Sequence, residues 1–404
     1  MTKEIKLSTL YLTRNGLLEP LGQSQILPYL RGISRKYQIT LITFEKKEDL
    51  LNKIYRRKIN EECKNLGIYW LPQKFNKNPQ FIAPLYGFLK MLILSTFLIK
   101  YKNIKLIHAR SYLPTFVAVI VGYIFKLSFI FDMRALWLEE LIADERISRG
   151  SVFHNLLNFI EKICLKRAAA VVVLTNASEN FLKENYAKYI LINKIIIIPT
   201  CVDLDRFKLK TDKNKEKIIG CLGSILNGWF NIDLLASFFA TAALRDNDLQ
   251  FQITTKDDHK LILNKFEKFP ALYGRLRINT VSPEEVPEIL KKQICSVMFY
   301  AGGQLSEIGR SPTRMAEILA VGLPVVTYAG VGDVDSIIKD NNVGVILKGC
   351  DAKQIENALD QLEKLLNDPN LDLRCRKVAE EFFSLRSGIK KYLMIYENSI
   401  NNSF

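Results

Sequence analysis

"EIGRSPTRMAEILAVGLPVVTY", residues 307–328, holds one complete helix-to-strand unit. Ser311 followed by Pro312 predicts a helix start, with a hydroxyl N-cap and then proline at the first helical position, where its missing N–H costs nothing. Gly322 and Pro324 predict the end of that helix, and Val325-Val326-Thr327 the opening of a buried strand. Arg310 and Arg314 bracket the helix start. A helix N-terminus is already electropositive, so cations placed there work against the dipole unless an anion sits between them. Backbone N–H groups of Thr313 and Arg314 are suited to a phosphate. Glu317, one and a half turns further in, offers a carboxylate to two sugar hydroxyls. Together these residues predict a site for a nucleoside diphosphate, pyrophosphate on the helix start and ribose on Glu317.

The same alternation runs through the whole chain. In the first half the strand candidates are "KLSTLYL", "ITLITFE", "GIYWLP", "KLIHAR", "FIFDMR", "AVVVLT" and "IIIIP"; in the second they are "IIGCLGS", "FQITT", "RINTV", "CSVMFY", "PVVTY" and "VGVIL". Continuous Val/Ile runs separated by helical stretches indicate parallel sheets covered on both faces. The charged segment at 207–217 looks like a linker. The predicted fold is α/β: two Rossmann-like domains, 1–206 and 218–385, with parallel sheets facing across a cleft, and a last helix, 386–404, crossing back to the first domain. Ligands of such sheets bind beyond the carboxyl ends of the strands, which makes the cleft the default site.

Bulk properties narrow the class. The chain has 404 residues, 48% hydrophobic and 25% charged, as expected of a globular protein with full-sized cores. Seven cysteines are scattered without a C-x-x-C pair, which predicts reduced thiols and a cytoplasmic protein. Three histidines far apart in sequence (108, 154 and 259) make a metal site improbable. The N-terminus lacks the apolar run of a secretory signal. Two apolar segments, beginning at Phe81 and Leu113, are interrupted by Lys90 and Lys126 and read as buried helices or a membrane-resting face rather than spans. Residues 1–210 hold 33 Lys and Arg against 17 Asp and Glu, a net of +16, while the remainder is close to neutral. A basic half with apolar helices suits an anionic membrane leaflet, on the inner face of the cell membrane. It would also suit nucleic acid, but no zinc-finger, RNP or basic-zipper pattern accompanies it, and no nucleic-acid partner is expected.

On these motifs the chain resembles glycosyltransferase family 4, of the GT-B fold. "SPTRMAEILAVGLPVV" is similar to that family's donor-binding segment, in the form with Ser-Pro-Thr-Lys before a glutamate, Arg314 standing for the lysine. Glu317 matches the second of the family's two glutamates; the first would fall at Gly309, where this chain departs. "LTRNGLLEPLGQSQILPYL" resembles the first strand, loop and helix of polysaccharide-building members, and "IIIIPTCVDLDRF" the close of the first domain. "GSILNGWFNIDLLASFF" resembles the opening of the second domain, "AGVGDVDSII" the loop after the strand at 325, and "FFSLRSGIKKYLMIYENSI" the last helix.

The resemblance implies a metal-independent transfer of a sugar, with retained anomeric configuration, from a nucleotide-sugar co-substrate to a glycan acceptor of lipid-linked type. No cofactor is implied. Donor contacts would come from Gly16, Gly22, Gln23, Gly223, Ser224, Arg310, Ser311, Pro312, Thr313, Arg314 and Glu317. The family's phosphate-neutralising Arg and Lys fall at Ser224 and Trp229, so the clamp is expected at Arg310 and Arg314, whose guanidinium groups bind phosphate bidentately. Arg110, where the family carries a histidine, and Asp132 and Arg134 are the candidate catalytic residues, with His108 and the Trp137 ring as acceptor contacts. Two alternatives remain: a catalytically silent sugar-nucleotide-binding subunit of a glycan assembly complex, and a GT-B sugar-nucleotide epimerase, which the scarcity of histidine disfavours. Base, sugar, linkage and oligomeric state stay open.

Overall fold

The computed structural model describes residues 6–76, 78, 82–209 and 216–401. The chain divides into two units, Met1–Pro199 with Leu385–Phe404, and Thr200–Ser384. In the first, strands β1 (Leu7–Thr13), β2 (Tyr37–Glu45), β3 (Tyr69–Lys74), β4 (Ile104–Arg110), β5 (Ser128–Asp132), β6 (Ala170–Val173) and β7 (Ile195–Ile197) form one sheet in the order β3-β2-β1-β4-β5-β6-β7. In the second, β8 (Ile218–Leu222), β9 (Gln250–Thr254), β10 (Leu276–Asn279), β11 (Cys295–Met298), β12 (Val325–Tyr328) and β13 (Gly344–Leu347) run in the order β10-β9-β8-β11-β12-β13. Every pairing is parallel. Each unit is a Rossmann-like α/β half, as the Val/Ile runs predict, because a strand covered on both faces has no polar face to alternate.

Register decides which side chains meet. β1, β4 and β5 align Thr13 with Arg110 and Arg110 with Asp132. Three polar residues therefore form one row at the carboxyl end of the first sheet, where ligands of this architecture bind. In the second unit the mainly aliphatic core includes Phe238, Phe239, Phe251 and Phe299, all inaccessible to solvent.

The division between units falls before Thr200 rather than after residue 206. Thr200 hydrogen-bonds Ser311, the Val202 N–H donates to the Phe383 carbonyl at 2.8 Å, and Phe207 is buried in the second core. The Pro-x-x-Val-Asp stretch is thus divided after Pro199, and Thr200 to Phe207 fold with the second unit. Of the expected linker at 207–217, residues 210–215 lie outside the described residues. The last helix, Leu385–Asn401, packs against β4, β5 and the Leu27–Ile33 helix. Gly32 makes that approach possible, since a Cβ there would stand 2.6 Å from Ile389.

Three helices of the first unit lie side by side: Ile82–Lys102, Tyr112–Phe125 and Val152–Arg167. The middle one is largely buried. The first, from Ala83 to Lys102, is long and apolar enough to cross a membrane by length and composition, with 28% of its apolar window buried. Leu85, Leu89, Ile93 and Phe97, spaced four apart, are exposed along it, as are Phe153, Leu156 and Phe159 on the third. All seven cysteines are free thiols, and six are buried.

Candidate functional site

The helix that opened the sequence reading runs Thr313–Ala320, one residue later than predicted. Pro312 occupies the N-cap and makes no side-chain cap, and Met315 N–H bonds its carbonyl at 3.1 Å. Ser311 does not cap: its hydroxyl accepts from Thr200 N–H at 3.2 Å, and Thr200 Oγ1 donates to the Ser311 carbonyl at 2.6 Å. The hydroxyl is taken by the strand-exit segment, which fixes the approach to the helix instead of its first turn. Gly322, at φ +84°, ends the helix region as expected.

The two arginines part company. Arg310 closes a bidentate pair on Glu307, Nε to Oε2 at 2.7 Å and Nη2 to Oε1 at 2.9 Å, with Glu307 almost fully buried. Its charge is therefore matched by Glu307 within the chain, unlike that of Arg314. Its guanidinium lies between the rings of Trp229 and Tyr300, 5.2 and 5.5 Å away. Arg314 stacks on Tyr300 and Phe230, 5.1 and 5.4 Å away, and donates Nη2–H to the Ser224 carbonyl at 2.9 Å. Its buried Nη1 has no hydrogen-bond partner among the described residues. Buried donors are nearly always satisfied, so an open guanidinium N–H marks a place for an acceptor.

Arg314 meets the loop after β8. Gly223 has φ +93°, and a Cβ on it would stand 2.7 Å from Arg314 Nη2, so both conformation and proximity require glycine. Asp257 pins the loop: its carboxylate accepts from the Ser224 hydroxyl at 2.9 Å, Ile225 N–H at 2.6 Å and Leu226 N–H at 2.9 Å. Glu317, on the Arg314 helix, has no hydrogen-bond partner among the described residues. Burial pushes its carboxyl up to about 7, against the opposing pull of Arg206 and Arg314. Gly223, Ser224, Arg314 and Glu317 thus belong to one place, with open groups of both polarities.

In the first unit the candidate catalytic residues also meet. Arg110 Nη1 donates to Asp132 Oδ2 at 3.2 Å, and Arg134 Nη1 stands 3.7 Å from Asp132 Oδ1. His108 bridges Tyr396 OH (2.9 Å) and Asp132 (3.4 Å), and burial holds its pKa below the ordinary value. Complete burial pulls the Asp132 carboxyl upward, but Arg134, His108 and Arg110 hold it well below the usual carboxylate range. His108 is buried inside this network, against Tyr11 and Tyr392, and presents no surface to an acceptor. Trp137 is half-buried, its backbone N–H donating to Tyr112 Oη at 3.3 Å and its ring against that of Tyr112.

The loop after β1 holds itself. Glu45, fully buried, accepts from Leu17 N–H (2.8 Å) and Leu18 N–H (3.0 Å), and Gln23 Nε2 donates to the Leu17 carbonyl at 2.6 Å. A Cβ on Gly22 would meet the Gly16 carbonyl at 2.1 Å, and one on Gly16 would collide with Glu45 Oε2. These glycines answer to the loop's own packing. Sequence reasoning missed Glu45, Asp257, Glu307, Tyr300 and Tyr396. Only Glu307, three residues before Arg310, carried a local signal; the rest are brought in by tertiary contacts.

Comparison with known proteins agrees with this architecture. Residues 206–382 match the family described as glycosyl transferases group 1. A protein named as an uncharacterized glycosyltransferase of Methanocaldococcus jannaschii is 23% identical over 297 residues, 68% of this chain and 72% of that protein. A glycosyltransferase of Rickettsia africae superposes with TM-score 0.71 over 98% of this chain and 100% of its own, at 17% identity. Sucrose-phosphate synthase of Thermosynechococcus elongatus gives 0.72 over 97% and 98%, at 14% identity. Anabaena HepE, solved with UDP-glucose, gives 0.67 over 97% and 99%, also at 14%.

The fold is that of the GT-B glycosyltransferases. Within it, residues 206–382 are similar to the glycosyl transferases group 1 model, and the chain is a transferase of glycosyl groups.

Proposed function

We propose that the chain transfers a sugar from a nucleoside-diphosphate donor to a lipid-linked glycan in the synthesis of a bacterial surface polysaccharide. The observation that carries this reading is the pairing of an open guanidinium N–H on Arg314 with an open carboxylate on Glu317, both on the helix beside Gly223 and Ser224. Arg314 would receive the diphosphate and Glu317 the ribose hydroxyls. A guanidinium and a helix start would stabilise the departing diphosphate without a metal ion. The leaving phosphate would help deprotonate the acceptor hydroxyl as it attacks from the same face, with retention. The family resemblance supports retention, and no protein nucleophile is needed. The exposed apolar stripe of the Ile82–Lys102 helix and the basic first half support work at an anionic membrane surface on the cytoplasmic side.

Thermal stabilisation by UDP, GDP, ADP, TDP, CDP and CMP tests the donor site, because a ligand of the native state raises Tm. One diphosphate is expected to raise it clearly, with UDP the first to try since HepE was solved with it. Arg314→Ala is expected to weaken that diphosphate far more than its parent nucleoside. Equal losses for both would remove the clamp, a shift with CMP alone would replace it with a monophosphate donor, and no shift with any would overturn the nucleotide-sugar reading.

A further inference from the structure

The row formed by Arg110 and Asp132 at the carboxyl ends of β4 and β5 carries more positive charge than it neutralises. Arg110 is 3% exposed and Asp132 not at all, and the Arg134 side chain is only 10% exposed. One carboxylate faces two guanidinium groups, and no other carboxylate among the described residues bonds either of them. His108 adds no negative charge, and its burial favours the neutral ring. The remaining neighbours are uncharged at neutral pH: Tyr11 and Tyr392 lie against the cluster, and Gln25 accepts from Arg134 Nη2 at 3.2 Å. A buried cation without a counter-charge is strongly disfavoured.

Two further observations point the same way. Arg110 Nε is buried and has no hydrogen-bond partner among the described residues. The backbone on both sides is strained: Ser111 follows Arg110 at φ +73°, and Arg134 itself stands at φ +50°, both in a region non-glycine residues seldom adopt. Strain of this kind persists where surrounding structure enforces it, commonly at ligand sites. The cluster is also at the end of the sheet where such folds take their ligands.

We propose that Arg110 and Arg134 form a receptor for an oxyanion carried by a substrate, with Asp132 setting their orientation and moderating the charge. The inference rests on the glycosyl-transfer reading only for what carries the oxyanion. A phosphate belongs to a lipid-phosphate acceptor; a carboxylate belongs to an acidic donor sugar.

Calorimetric titration of the full chain with inorganic phosphate, glucuronate and glucose, at ionic strength matched with chloride, tests it. An oxyanion is expected to bind and glucose is not. Arg110→Gln, and independently Arg134→Gln, should weaken the oxyanion about tenfold or more, the loss of one charge-assisted pair. Asp132→Asn should strengthen it, because the internal counter-charge is gone. Opposed signs separate a binding role from general damage, which moves all variants the same way. Binding of phosphate alone would assign the acceptor, and of glucuronate alone the donor sugar. Absence of oxyanion binding in a protein still stabilised by a nucleoside diphosphate would overturn this inference and leave the proposed function standing. So would variants that all shift affinity in one direction.

Discussion

Glu317 is a carboxylate placed where a carboxylate is least comfortable. Burial raises its pKa from the usual 4.5 to about 7, so between those values the folded protein holds a proton that the unfolded chain has released. Stability is then lost as pH rises through that window, since stability falls wherever the native state binds more protons than the unfolded one. Urea-unfolding midpoints taken between pH 4.5 and 7.5 should fall more steeply in the natural protein than in Glu317→Gln. Parallel profiles would show that the carboxyl is not perturbed. A ligand donating two hydroxyl hydrogen bonds favours the ionised form, so bound nucleotide should flatten the same slope. Glu317 and Arg314 were singled out in the sequence by spacing and helix-start chemistry, and Gly223 only by the family resemblance. The pairing of Arg310 with Glu307 was not read, because the Arg310 position invited a ligand explanation before a partner three residues back was sought.

At the scale of elements, β2 contributes more than its strand. Its last residue, Glu45, takes the Leu17 and Leu18 amides and the Thr43 hydroxyl, and Thr43 in turn accepts from Trp70 Nε1 at 2.8 Å. One buried carboxylate therefore fixes the turn between β1 and the Pro20–Gln25 helix, across a sequence separation of 28 residues. Glu45→Ala should cost at least about 2 kcal/mol by leaving buried amides without acceptors, and amide exchange at Leu17 and Leu18 should accelerate most. Unchanged exchange at those two positions would mean the loop is held by other contacts. Interior strands such as β6 and β8 were visible as apolar runs because burial on both faces leaves no polar face to alternate, whereas the edge strands β3 and β10 are only partly buried. The N-cap of the Thr313 helix was misplaced by one residue because Ser-Pro is a cap signature only when the hydroxyl is not needed elsewhere, and here Thr200 takes it.

For the whole molecule, charge and shape sort to the same half. The exposed stripe of Leu85, Leu89, Ile93 and Phe97 belongs to the unit that also carries the chain's excess of lysine and arginine. Co-sedimentation should show binding to phosphatidylglycerol-containing vesicles, weakened by salt and by Ile93→Glu with Phe97→Glu. Equal affinity for neutral vesicles would remove the role of charge, and no binding to either would remove the membrane surface. The division into units was only partly legible: the charged run at 207–217 drew the boundary, whereas packing of Phe207 and the Val202 bond to Phe383 moved it to Thr200. The same division gives the protein a built-in optical probe. Of its three tryptophans, Trp70 and Trp137 lie in the first unit, and Trp229 alone lies in the second, 46% exposed with a guanidinium 5.2 Å from its ring. With phenylalanine at positions 70 and 137, the remaining emission would come from one indole beside Arg310, so unfolding of the second unit can be followed on its own, by wavelength and quencher access, in the intact chain.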